Sequence, residues 1–250
     1  MNPLLSTALL GLAAPAGCVL LAALGLRRWG GERPGLLLAT LIAAALFLGG
    51  VALAGWSPLP PVTTTQWIGL LALAAGALAF PAVALLPPWR WVFRIVLIAA
   101  FLWPAGRPKF AAAWTPTQGL LSFLAAVALV TVLWFLLERG SRTAAPLRFV
   151  FPLGAMMALG APLFFQEGSL LLAQWAGLTA LVTGAAWLGL AVGSRNAVPN
   201  MSAPIAVIIP VYSVIAVNAL WYTDLTVPWT LALWAGLALP ALVGLRKRSS

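Results

Sequence analysis

Apolar runs long enough to span hydrocarbon, which takes roughly 20 residues each, follow one another from end to end of the chain. Short segments rich in Pro, Gly, Arg and Trp separate them. The first run is Leu4–Leu26, with Pro15 as a kink, and it closes on Arg27-Arg28-Trp29. Residues Leu36–Trp56 and Gln66–Leu86 form the second and third, the third broken near Pro81. Thr64 or Thr65 is placed to cap the third, since a Thr hydroxyl accepts from the free N–H groups of a first turn. The fourth candidate is Trp89–Ala105. Thr117–Leu137 is the fifth, with Thr115 as N-cap and Pro116 at the first helical position, where a missing N–H costs nothing. Leu147–Phe165, Ser169–Val192, Ala203–Tyr222 and Val227–Leu245 complete the series. Pro152 and Pro162 fall in the sixth run and Pro204 and Pro210 in the eighth, spacings that can open a helix and free carbonyls.

The fourth run decides the orientation of everything after it. Its uninterrupted apolar part, Ile95–Ala105, rises only ~16 Å against a hydrocarbon core of ~30 Å. It therefore reads as a short span, with Arg94 snorkelling to one headgroup layer and Arg107 to the other. If it crosses and the N-terminus is outside, 12 of the 14 basic residues face the cytoplasm, leaving Arg107 and Lys109 outside. If it is re-entrant, leaving eight spans, the basic residues divide 7 and 7. Basic residues of short loops concentrate on the cytoplasmic side. The expected fold is therefore an all-α, polytopic integral membrane protein of nine transmembrane helices, N-terminus outside and C-terminus cytoplasmic, with eight as the fallback. Tryptophans near the run ends, among them Trp29, Trp56, Trp67, Trp89, Trp91, Trp103, Trp114, Trp134, Trp221 and Trp229, match interfacial belts.

Composition narrows the class without adding chemistry. The chain is 63% hydrophobic and 7% charged, too few charges to clothe a soluble domain, so residues 1–250 read as one membrane domain in the plasma (inner) membrane. The net charge of +10 sits in small clusters between apolar runs rather than on one basic face, which argues against nucleic acid. Ala14-Pro15-Ala16-Gly17-Cys18 resembles a lipoprotein cleavage site, but no basic segment precedes it and the apolar run continues to Leu26, so a retained span is expected. The sole cysteine excludes an internal disulfide.

There is no histidine, which removes the commonest metal ligand and general base. Glu32, Glu138, Glu167 and Asp224 are scattered at run ends, so neither a metal site, a cofactor, a catalytic pair nor a carboxylate relay is expected. Glu138 is expected to pair with Arg142, four residues on. The remaining polar groups are uncharged. Gln66, Gln118, Gln174 and Asn218 lie near one depth and are candidate substrate-binding residues lining a shallow cavity, or else bonds between helices. Trp89, Arg90, Trp91 and Arg94 form an aromatic-basic cluster, a candidate lipid-headgroup site beside a plainer anchoring role. Ala185, Gly189 and Gly193 form a small-residue ridge that permits close helix approach. Gln66-Trp67-Ile-Gly69-Leu70 resembles Gln174-Trp175-Ala-Gly177-Leu178, an internal similarity that chance explains in so biased a chain. These readings favour a non-catalytic membrane subunit or scaffold whose partners are lipids and other membrane proteins. The alternative is a transporter or facilitator of an uncharged or lipophilic small molecule.

Overall fold

A computed structural model describes residues 9–26, 32–56, 61–143, 146–192, 201–223 and 225–246. Among them the fold is entirely helical. Each expected apolar run is a helix: α1 (Leu9–Leu26), α2 (Glu32–Ala54), α3 (Gln66–Ala84), α4 (Pro87–Ala112), α5 (Pro116–Thr143), α6 (Pro146–Gln166), α7 (Leu170–Ala191), α8 (Ser202–Tyr222) and α9 (Val227–Arg246). Seven of them, α1 to α5 with α7 and α8, are long and apolar enough to cross a membrane, and this architecture fits a multi-pass integral membrane protein. The described apolar parts of α6 and α9, Pro152–Gln166 and Val227–Leu239, are shorter.

Among the described residues seven helices close around α8, and α1 packs outside them against α2 and α7. Neighbours around the ring run α2, α3, α4, α5, α9, α6, α7 and back to α2. Helix α8 stands inside and touches every other helix except α1. In its apolar 18-residue stretch 94% of the residues are buried, with no face left for lipid. Its sequence suits that place: Ala, Val and Ile occupy all sides, and a helix that is apolar all round belongs in an interior. Pro210 does not open it, nor do Pro152 and Pro162 interrupt α6. Proline is accepted inside such helices because neighbouring groups compensate the missing bond. Tyr212 also ties α8 to α6, donating to the Met157 carbonyl at 3.4 Å.

Local details follow from the backbone's donors and acceptors. The first turn of α1 is π-wound over Leu9–Ala13. Pro15 has no N–H for the Gly11 carbonyl four residues back, which accounts for the irregular winding. At α5, Thr115 and Gln118 make a reciprocal capping box: the Gln118 N–H donates to Thr115 Oγ1 at 3.3 Å and the Thr115 N–H to Gln118 Oε1 at 3.2 Å. The expected Thr cap of α3 is different. Thr65 occupies the N-cap position, but its side chain makes no capping bond. Gln66 Oε1 accepts instead from Val62 and Thr63 N–H at 2.9 and 3.1 Å, because the longer amide reaches back over the turn.

The larger correction concerns α4. It is a single helix of 26 residues running through Pro104 and Pro108 to Ala112, ~39 Å long at 1.5 Å per residue. It is not the short span that the apolar stretch suggested. Its extension is held by aromatic packing: Phe110 lies 5.7 Å from both Trp103 and Trp114 and 6.1 Å from Phe123, while Trp114 meets Trp221 edge-on at 5.1 Å. Tyr222 also donates to the Ala105 carbonyl at 2.6 Å. These contacts hold the part of α4 that continues past the two prolines.

Glycines set the closest helix approaches. At Gly189 an added Cβ would meet Ala23 Cβ at 2.6 Å and the Leu20 carbonyl oxygen at 2.7 Å, so α7 touches the backbone of α1. This realises one position of the expected small-residue ridge; Gly193 lies outside the described residues. Gly184, on the same helix, has open space at that point. Gly189→Ala is therefore expected to destabilise the detergent-solubilised protein by about 1–3 kcal/mol, read as a lower thermal unfolding midpoint. Gly184→Ala should leave that midpoint unchanged or slightly raised.

Candidate functional site

The most chemically loaded place in the molecule is where α3 ends and α4 begins. A helix end leaves carbonyls without intrahelical donors. Here the backbone turns extended at Leu85 and Leu86, so the last carbonyls of α3 look to side chains for donors. Two arginines one helical turn apart on α4 fill the gap. Arg94 donates from Nε and Nη2 to the Ala82 carbonyl at 3.0 and 2.7 Å. Arg90 donates from Nε to the Leu85 carbonyl at 3.0 Å.

Arg94 is wholly buried. Its inward position follows from α4's periodicity, since Arg94, Leu97, Ile98, Phe101 and Ala105 share the buried face. The burial is tolerable because its charge is matched. Arg94 Nη1 donates to Glu138 Oε2 of α5 in a direct ion pair. Its guanidinium also lies 4.8 Å from the ring centroid of Trp91 and 5.0 Å from that of Trp134, a favourable placement of a cation on aromatic faces. Arg90 Nη1 approaches Glu138 Oε1 at 3.9 Å. Glu138 is itself buried, and Ser141 Oγ donates to its backbone carbonyl at 2.9 Å.

Two expectations are corrected here. Arg94 does not snorkel to a headgroup layer; it is inside the bundle, since Ala82 and Glu138 satisfy it there. Glu138 is engaged across helices by Arg94 and Arg90; the expected pairing with Arg142 involves a side chain outside the described residues. Trp134, expected at an interface, is fully buried against Arg94.

Outside this pair opens a cleft of about 310 Å³ lined by Pro87, Arg90, Trp91, Arg94, Phe135, Glu138 and Arg139. Of the expected cluster it gathers Arg90, Trp91 and Arg94. Trp89 is exposed and is not part of the lining. Sequence reasoning missed Phe135, Glu138 and Arg139 as members. The available signal was that Glu138-Arg139 closes the fifth run on the same side as the start of the fourth.

The four candidate substrate-binding residues have separate surroundings. Gln66 and Gln118 use their amide oxygens in helix caps. Asn218 is buried and its Nδ2 donates to the Val214 carbonyl of its own helix at 2.9 Å, while its Oδ1 has no partner. Gln174 is half-buried on α7. Gln66 and Trp175 border a narrow apolar cavity of about 40 Å³ between α2, α3 and α7, whose lining does not include Gln118, Gln174 or Asn218. Among the described residues no three His, Cys, Asp or Glu side chains come together.

No family model matches the chain, and neither the curated proteins nor the solved structures contain a significant match to it.

Glu138→Ala is expected to lower stability by about 3–5 kcal/mol, because it strands a buried guanidinium. Joint replacement of Arg94 and Glu138 by Leu and Met should recover much of that loss. A double-mutant cycle on detergent melting curves measures both effects.

Proposed function

We propose that this chain is a non-catalytic multi-pass protein of the plasma (inner) membrane, working as a subunit or scaffold that packs with lipids or partner proteins. The observation that carries this reading is the engagement of the interior. Helix α8 is enclosed on all sides, and most polar groups around it bond to helices. Thr179 and Thr183 donate to carbonyls of their own helix at 2.8 and 2.7 Å, and Gln66 and Gln118 are caps. Such groups stabilise a bundle and leave little reactive chemistry. Large apolar side chains on the ring's outer surface, including Phe80, Leu121, Val132 and Phe165, suit hydrocarbon or another apolar helix.

Nine spans with the N-terminus outside belong to the same proposal. Helices α6 and α9 supply the eighth and ninth crossings, and the basic residues then lie mainly on the cytoplasmic side. The alternative, a facilitator for an uncharged or lipophilic molecule, draws on the unpartnered Oδ1 of Asn218 inside the bundle.

Two measurements test this. A reporter fused after Ser250 is expected to read cytoplasmic; a reading from the opposite side would contradict the nine-span arrangement. After mild solubilisation the chain should elute within an assembly of defined mass larger than one chain in its micelle. A lone monomer under those conditions would contradict the subunit reading.

A further inference from the structure

We infer that the cleft beside Arg94 is a binding site for the phosphate of an anionic membrane phospholipid. The argument begins with charge. Three arginines, Arg90, Arg94 and Arg139, line the cleft against one carboxylate, Glu138. The direct pair of Arg94 and Glu138 is mutually satisfied and sits at the back. Arg90 and the exposed Arg139 line the cleft in front of it. Arg90 is anchored through Nε to the Leu85 carbonyl, with its Nη1 still 3.9 Å from Glu138. Its fork is thus held in place with donor groups facing the cleft, and planar guanidinium donors match phosphate oxygens.

The walls select a lipid rather than a free anion. Trp91 and Phe135 pack together at 5.6 Å, and Phe135 is exposed. Below them on α4, Val92, Ile95 and Val96 are exposed. An occupant with its phosphate between Arg90 and Arg139 would lay its acyl chains down this apolar track. Free phosphate would use the arginines and leave the track uncovered. The cleft also opens at the first turn of α4, whose positive dipole end favours an anion. This inference takes from the proposed function only that this end of the bundle meets a headgroup layer.

The test uses the full-length chain, purified in neutral detergent and reconstituted in vesicles of phosphatidylcholine alone or with phosphatidylglycerol. Lipid retained after re-extraction is counted by native mass spectrometry. Wild type should retain phosphatidylglycerol in preference to phosphatidylcholine. Arg90→Gln and Arg139→Gln should each reduce that preference about fivefold, the effect of one basic residue near an anionic lipid, and Arg90→Lys should keep part of it. Because Arg139 is exposed and outside the buried pair, its variant gives a readout even if Arg90→Gln fails to fold. Equal retention of the two lipids by wild type would overturn the site. Displacement of phosphatidylglycerol by millimolar inorganic phosphate would assign the cleft to a free anion and overturn the lipid assignment. A lone monomer on sizing would remove the subunit reading and leave the lipid preference untouched, so the two failures are distinguishable.

Discussion

A guanidinium with no solvent exposure has to find every partner inside the bundle, and Arg94 finds them on three helices. It sits on α4, bonds a free carbonyl of α3, pairs with Glu138 of α5 and rests on the ring of Trp134. In hydrocarbon an unpaired charge is expensive, so this set of contacts specifies which helices stand side by side. The α3–α4–α5 arc of the ring is therefore fixed by polar chemistry, in a molecule whose other contacts are almost all apolar. The arginines near the start of α4 bond the Ala82 and Leu85 carbonyls where α3 ends, so the turn and the ion pair are one device.

The remainder of the bundle is held by shape. Backbone contact between α1 and α7 depends on Gly189, and the ring of Trp175 occupies the space that a side chain at Gly50 would need. Small residues matter here because lipid offers no hydrophobic drive for helix association, leaving close packing to supply it. Enclosure of α8 is the result. Its Ala, Val and Ile surface meets neighbours on every side, while the Leu- and Phe-rich faces of the outer helices turn outward.

Much of this order was legible in the sequence. The nine apolar runs and their punctuation placed the helices, and Thr115-Pro116 marked the start of α5 by a mechanism the structure reproduces. What could not be read was relational. Pro104 and Pro108 signal an end in local terms, yet α4 continues because Phe110, Trp114 and Tyr222 support it from other segments. Glu138 has a plausible partner four residues away, and only packing brings Arg94 and Arg90 to it. Nor does composition reveal that α8 is central, since α2, α3 and α5 are as apolar. Of the candidate sites, Arg90, Trp91 and Arg94 do come together, but around a carboxylate assigned elsewhere. The glutamines shared a depth in the sequence and proved to include two helix caps.

The account rests on α8 being sealed inside a ring of seven helices. Single cysteines placed along residues 205–217 of α8, in a Cys18→Ser background, test this in native membranes with a lipid-soluble thiol reagent. Cysteines at Leu121, Leu124 and Val132 on the outer face of α5 serve as the exposed reference. The prediction is rapid labelling of the α5 positions and none at any position of α8. Labelling along one face of α8 at every third or fourth residue would show a side open to lipid and would contradict the enclosed arrangement.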